Sequence, residues 1–292
     1  VVSVVIPNLD SPTINDVIDC ICKQTCSAII EDIVVVGIDN THPIAPNTRI
    51  QKIDTGSPIS AASARNQGAR QTRSDWLLFV DSDVLMQVDA LAQLIESVKP
   101  ERCAATLAAV VLETQPYWRQ CSNLMAFPEY LSHDTRGERF ALPSYCLLVP
   151  RDIWEKVGEF DTAFHGAAGE DFDWCIRARK LGYTTLFEPR ARVYHRPAQR
   201  DTRQSVMKRF MAFGNAMYRV YKMHPAYAPA SLAIKICERG GWFAKALLAP
   251  LAMLYVLRMA MKRPSLFQYA RFFAGASVAQ YAFYLGMCHA EK

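Results

Sequence analysis

A chain of 292 residues, 51% hydrophobic and 21% charged, is long enough for one large α/β domain or two smaller ones and too apolar to be disordered. Its net charge of +5 conceals an asymmetry: residues 196–292 hold 15 Lys/Arg against 3 Asp/Glu, a net of +12, which leaves residues 1–195 with 18 against 25, a net of −7. An acidic front suits a cation site, and a basic, apolar tail suits an anionic membrane surface or acceptor better than a nucleic acid.

Val1–Ile6 is β-branched and apolar and closes at Pro7-Asn8, a strand with its exit loop. No signal-peptide pattern precedes it, and the absent initiator Met points to a trimmed start. Asp10-Ser11-Pro12 is suited to cap a helix over Thr13–Lys23. Ile33–Val36 reads as a second buried strand, ending in the polar loop Gly37-Ile38-Asp39-Asn40-Thr41, and Ile50–Ile53 as a short third. Ser60–Thr72 is Ala-rich and helical by propensity. Trp76–Val80 is a fourth strand, Val88–Val98 has a helical period, and Cys103–Leu112 is strand-like. This order predicts a doubly wound α/β half: a largely parallel sheet with helices on both faces.

Residues 113–143 read as irregular, either an acceptor loop or an ordinary surface insertion. Ser144–Val149 reads as a strand and Arg151–Val157 as a short helix. Glu170–Leu181 has helical spacing with Gly182 as its cap, and Thr184–Phe187 leads to a strand near Ala191–Tyr194 that ends at His195. From Asp201 the character changes. Val206, Phe210, Phe213, Met217 and Val220 mark an amphipathic basic helix. Ala246–Leu257 and Phe272–Cys288 are uncharged but too short or too diluted to span a bilayer. They are expected to lie in or on a membrane, with packing against the rest of the chain or a dimer partner as the alternative. The nine cysteines are scattered and lack zinc-ligand spacing, so they read as reduced, packed thiols in a reducing compartment.

The residues that carry chemistry gather where strands and helices end. Trp76–Val80 runs straight into Asp81-Ser82-Asp83. Open α/β sheets bind ligands beyond the strand C-termini, and two carboxylates there form a cup of hard oxygens suited to Mg²⁺ or Mn²⁺ with a diphosphate. The same three residues also suit a capped turn. In Ala64-Arg65-Asn66-Gln67-Gly68, Arg65 has the reach for a phosphate or an Asp of the cup, and Gly68 permits close packing on the sheet. Gly169-Glu170-Asp171-Phe172-Asp173-Trp174 opens a helix after the loop Gly166-Ala167-Ala168-Gly169. Acids are favoured at a helix start, but three in four residues exceed that need, and one suits a general base toward a hydroxyl. His195 is either structural or a further metal ligand.

Taken in order, the segments VSVVIP, VVVGIDN, ARNQG, FVDSD, VGEFDTAF, GEDFDWCIRARKLGY and VYHRP resemble the family-2 glycosyltransferases of the GT-A fold. The resemblance implies a Rossmann-like GT-A domain over 1–200, with a nucleotide-sugar half at 1–112 and an acceptor half at 113–200. A basic helical, membrane-associating extension at 201–292 follows. It implies a nucleotide-diphosphate sugar donor, a divalent cation (Mn²⁺ or Mg²⁺), a hydroxyl acceptor and inversion at the anomeric carbon. Residue by residue, it implies Pro7 and Asp39 beside the base, and Arg65, Asn66 and Ser82 along the donor. Asp81 is then by the ribose and the metal, and Asp83 on the metal. Asp171 is the catalytic base with Glu170 beside it, and His195 contacts metal or diphosphate.

There are departures. Gly37 and Ile38 stand where the family usually has two acids, and Asp39 falls one position late. The QxxRW signature of processive synthases is absent, which argues for transfer of a single sugar. The tail adds the expectation of a lipid-linked or polysaccharide precursor of the cell envelope as acceptor. It also predicts a cytoplasmic, peripheral position on the inner face of the cell membrane, with a homo-oligomer through the C-terminal helices as the alternative. FVDSDV also resembles the nucleophile motif of haloacid-dehalogenase-type phosphatases, although that motif stands on the first strand of its fold. A catalytically silent membrane scaffold is the non-enzymatic alternative.

Overall fold

The computed structural model describes residues 1–46, 48–98, 102–165, 168–197, 202–227, 232–239 and 241–290. Residues 166–167 of the expected glycine-rich loop, and the expected boundary at 200–201, lie outside the described residues. Two compact units divide the chain: Val1–Val111, Tyr130–His165 and Glu170–Ala198 in the first, and Leu112–Glu129, Gly166–Gly169 and Gln199–Lys292 in the second.

In the first unit nine strands among the described residues form one sheet. They are β1 (Val2–Leu9), β2 (Ile30–Ile38), β3 (Ile50–Asp54), β4 (Trp76–Val80), β5 (Val84–Met86), β6 (Cys103–Val110), β7 (Gly137–Glu138), β8 (Cys146–Pro150) and β9 (Thr184–His195). The order is β3-β2-β1-β4-β8-β6-β9-β5, with β7 against β9. From β3 to β4 every pairing is parallel; β1, β2 and β4 are the buried apolar runs expected of such strands, while the edge strand β3 is partly exposed. Beyond β4 the directions are mixed. Strand β8 is antiparallel to both β4 and β6, and β9 is parallel to β6.

Helices α1 (Ile14–Cys22), α2 (Ala61–Arg70), α3 (Ala90–Ser97), α5 (Arg151–Val157) and α6 (Glu170–Lys180) belong to this unit, and α4 (Tyr117–Ala126) to the other. Ser60 caps α2 by accepting the Ser63 amide at 3.2 Å. Gly68 lets α2 sit close on the sheet, since a Cβ there would fall 2.3 Å from Val5 Cγ1. The helix expected over Val88–Val98 runs over Ala90–Ser97, and the chain before it pairs with β9 as β5. The two strand pieces expected between 184 and 194 are one strand with an irregular register near Glu188–Arg192. Glu188 is fully buried there, between Arg136 and Arg190 at 2.9 Å each. Phe79 of β4, Trp154 of α5, Trp174 of α6 and Phe160 form an aromatic cluster with ring centroids 5.0–6.3 Å apart, which ties both helices to β4.

The second unit is helical: α4, α7 (Arg203–Met223), α8 (Leu232–Arg239), α9 (Gly241–Lys262) and α10 (Phe273–His289), with a 3-10 segment at Pro264–Phe272. Helix α4 replaces the irregular stretch expected there, and it packs on α10, where the Gly275 amide donates to Tyr117 Oη at 3.2 Å. Thr202 and Ser205 close a capping box at the start of α7. Helices α7 and α10 meet backbone to backbone. A Cβ on Gly214 would fall 1.9 Å from Phe283 O, and one on Gly286 would fall 1.9 Å from Met211 O. Tyr218, Ile234, Leu248, Ala252 and Tyr284 fill the interior. Among the described residues no helix is long and apolar enough to cross a membrane. The cysteines are free thiols, as expected.

Candidate active site

Strand β4 ends at Val80 and the chain turns through Asp81-Ser82-Asp83 into β5. Backbone and hydroxyl groups from distant elements hold this turn. The Asp81 amide donates to Tyr145 O beside β8 at 2.9 Å. Ser82 O accepts both Ser11 Oγ and Thr13 Oγ1, at 2.8 Å each. The Thr13 hydroxyl is engaged at this turn, and α1 starts without a side-chain cap bond, contrary to the expected capping. Sequence reasoning gave Ser11 and Thr13 no place at the site. They lie 71 and 69 positions from Ser82, and no local pattern marks the contact.

The carboxylates of the turn and of α6 share one cation. Arg65 Nη2 donates to Asp81 Oδ1 at 2.6 Å, and Arg65 Nη1 donates to Glu170 Oε1 at 2.9 Å. Arg65 is only 3% exposed, so a buried guanidinium joins the end of β4 to the start of α6. Burial disfavours its charge, and the charges of Asp81 and Glu170 more than restore it, leaving its pKa raised. Arg65 Nε and Glu170 Oε2 are buried without a hydrogen-bond partner among the described residues. Such atoms are rare in folded proteins.

Glu170 and Asp171 stand in the first turn of α6. Burial pushes Glu170 up to about 7, with Asp171 adding to the shift and Arg65 opposing it. Burial also raises Asp171, against the pull of Arg65 and of the Phe172 and Ser144 amides. Asp171 Oδ2 accepts the Ser144 amide at 3.1 Å and the Ser144 hydroxyl at 3.4 Å, and Oδ1 accepts the Phe172 amide at 2.9 Å. A carboxylate held in one orientation, with its pKa raised by burial, is a stronger proton acceptor than a surface Asp. Ser144 is another residue that sequence reasoning missed. The third acid, Asp173, pairs with Arg177 at 2.8 Å one turn along α6.

Antiparallel pairing of β5 with β9 sets His195 opposite Val84. His195 Nε2 is then 3.7 Å from Asp83 Oδ1, and the Arg196 amide donates to Asp83 O at 2.8 Å. The Asp81 and Asp83 side chains are 29% and 23% exposed, open to a ligand. No group of three His, Cys, Asp or Glu placed to hold a metal occurs among the described residues. By chemistry of the donor types alone, two carboxylates suit Mg²⁺ or Mn²⁺, which take one or two carboxylates and complete their shell with substrate phosphates and water.

The remaining expected contacts are spread along the sheet. Pro7 of β1 stands beside Val36 of β2. Asp39 follows β2, ion-paired with Lys52 and accepting the Ile44 amide at 3.1 Å, and these bonds, Lys52 first, lower its pKa. Gly37, at φ +140°, faces Asn8, and a Cβ would fall 1.8 Å from Asn8 O. That contact explains why no acid occupies position 37. Asn66 does not face a ligand. It is 2% exposed, its Nδ2 donates to Phe160 O at 2.8 Å, and its Oδ1 accepts the Phe160 amide at 3.1 Å. Both ends of its carboxamide brace α2 against the turn after α5, so the expected donor contact is corrected to a structural one.

The family model described as "Glycosyltransferase like family 2" matches residues 2–212. The chain belongs to this family. Among curated proteins, the O-antigen biosynthesis protein RfbC of Myxococcus xanthus is 22% identical over 257 residues, covering 78% of this chain and 20% of that protein. The uncharacterized protein y4gI of Sinorhizobium fredii is 32% identical over 96 residues, 30% of this chain and 11% of that one. The family-2 chain thus spans a fifth or less of the curated relatives it matches. Among solved structures, GalNAc-T7 with UDP, GalNAc and Mn²⁺ superposes with a TM-score of 0.55 at 14% identity, over 79% of this chain and 51% of that one. The mannosyltransferase PcManGT of Pyrobaculum calidifontis, with GDP-Man and Mn²⁺, gives 0.56 at 17% identity, over 95% and 85%. At these identities the likeness is one of fold, a GT-A-type α/β sheet with its helices.

Proposed function

We propose that this chain is an inverting glycosyltransferase that moves one sugar from a nucleotide-sugar to a hydroxyl acceptor. The acceptor oxygen bonds to the anomeric carbon as the bond to the diphosphate breaks, and the nucleoside diphosphate leaves with the electron pair. The observation that carries this reading is the buried Arg65 bridge, which gathers Asp81 and Glu170 of two separate family motifs around one guanidinium. Asp171 takes the acceptor proton, its carboxylate oriented by Ser144. Arg65 opposes the negative charge that grows on the departing diphosphate, in a site where burial strengthens the interaction. Asp81 and Asp83, with His195 adjacent, would hold a divalent cation, which when bound supplies Lewis-acid stabilisation to the leaving group. Pro7 and Asp39 are assigned to the base and Ser82 to the donor. The Mn²⁺ and nucleotides named with GalNAc-T7 and PcManGT support these assignments.

For the acceptor we favour a lipid-linked or polysaccharide precursor of the cell envelope, reached from a peripheral position on the inner face of the membrane. The O-antigen relative and the basic tail support it. The haloacid-dehalogenase-like phosphatase reading has no such support, because its motif stands on the first strand of its fold whereas Asp81 follows the fourth strand here.

The test is a thermal-shift screen of UDP-, GDP- and dTDP-sugars with and without Mn²⁺. One nucleotide class should stabilise the protein only with Mn²⁺, by about 3 kcal/mol at a hundredfold excess over Kd. Asp83→Ala should lose the metal-dependent part. No Mn²⁺-dependent shift with any donor, or an unchanged shift in Asp83→Ala, would count against the reading.

A further inference from the structure

Helix α9 is apolar on two opposite sides. Leu248, Ala252, Val256 and Ala260, at four-residue steps, are buried in the helical unit. The other side is as apolar and faces solvent: Leu247, Met253, Leu254, Leu257 and Met261 are 39–66% exposed. Phe267, in the 3-10 segment that follows, is 49% exposed. A helix apolar all round belongs enclosed by protein or lipid, and α9 is enclosed on one side only. Beside the bare side runs a groove of about 480 Å³ lined by Met253 and Leu257 of α9, by Phe273, Val278 and Tyr281 of α10, and by Arg203 of α7.

Charge selects what covers this face. Arg258 and Lys262 are exposed and follow Leu254 by four and eight residues, on the outward side that Met261 shares. The sequence from 196 to 292 carries a net of +12, with 15 Lys/Arg against 3 Asp/Glu. Two copies of so positive a surface repel when pressed together, whereas anionic lipid attracts it. Among the described residues no helix is long and apolar enough to cross a membrane, so α9 would lie along the interface. We infer that the outward face of α9, with its adjoining groove, is a docking surface for an anionic lipid bilayer. This deepens the membrane part of the functional reading and rests on it, while standing apart from glycosyl transfer.

The experiment is co-sedimentation of the full chain with vesicles of phosphatidylcholine alone and of phosphatidylcholine mixed with phosphatidylglycerol, at low and high salt. Partition should favour the anionic vesicles by about tenfold or more and weaken with salt. Leu254→Asp with Met261→Asp should lower binding to anionic vesicles by at least about tenfold. Arg258→Glu with Lys262→Glu should lower it by at least about 30-fold and leave phosphatidylcholine binding unchanged. Both double variants alter exposed side chains and should keep the wild-type circular dichroism and the donor-induced thermal shift. If the wild type binds no vesicle, the membrane reading and this surface fall together while the donor result stands. If it binds and both variants bind equally well, the membrane reading survives and the α9 assignment is overturned. A dimer in light scattering, abolished by Leu254→Asp with Met261→Asp and unaccompanied by vesicle binding, would make a second copy the occupant and overturn it too.

Discussion

The two units treat burial in opposite ways. The sheet unit draws charge inward: Arg65, Glu170, Asp171 and Glu188 are all buried, and each is met by a hydrogen-bonded partner. The helical unit leaves apolar side chains outside, along α9, and closes its interior by backbone approach at Gly214 and Gly286. Neither choice favours stability alone, since buried ions lose hydration and exposed Leu and Met forgo burial. Each departure coincides with a proposed contact, a polar ligand at the rim of the sheet and an anionic bilayer at α9.

Four substitutions break or sharpen this contrast. The largest effect is expected at Asp171. Asp171→Asn keeps the volume and an acceptor for the Ser144 amide but removes the base, so kcat should fall about 10²–10⁴-fold in a transfer assay. The donor-induced thermal shift should remain, and its loss would return Asp171 to a structural role. Arg65→Met leaves Glu170 buried without its cation. Denaturant unfolding should show a loss of about 3–5 kcal/mol. Adding Glu170→Gln to it should recover part of that loss.

On the helical side, Gly286→Ala drives a methyl group to 1.9 Å from Met211 O. The strain should cost about 1–3 kcal/mol, read as a lower Tm by calorimetry. Equal stability would mean that α7 and α10 part easily and that the close crossing is dispensable.

The smallest effect is a matter of sign. Glu170 is raised from 4.5 to about 7, so between those values the native state binds more protons than the unfolded state. Its stabilising share is present at low pH and is lost as pH rises through the native pKa. The Tm of Glu170→Gln relative to wild type should therefore climb by a few degrees between about pH 5 and about pH 8. A decline over that range would mean that Arg65 stabilises the anion more than burial opposes it.

Much of the parallel half of the sheet was legible, because β1, β2 and β4 are covered on both faces and appear as unbroken apolar runs. The direction of β8 was not, since an apolar run reads the same whichever way the strand points. Helix α4 escaped for another reason. Tyr117, Cys121, Leu124 and Met125 do stand at helical spacing, but the polar Gln120, Ser122 and Asn123 are buried among them and dilute the stripe. At the site, Asp81, Asp83, Glu170, Asp171 and His195 stood out because each ends or begins an element. Ser11, Thr13 and Ser144 did not, because their roles come from chain segments that return from far away.

From the sequence by itself came the acids at the end of β4 and the start of α6, the glycine at position 37 and the basic, apolar tail. These are local features, set by neighbours a few positions apart. Only the tertiary structure decided that Arg65 joins Asp81 to Glu170, 16 and 105 positions away. It also turned Asn66 toward Phe160 and left one side of α9 bare. The physical reason is common to all of them: a hydrogen bond or a contact is settled by where the chain comes back in space, and the period of a strand or helix does not encode that return.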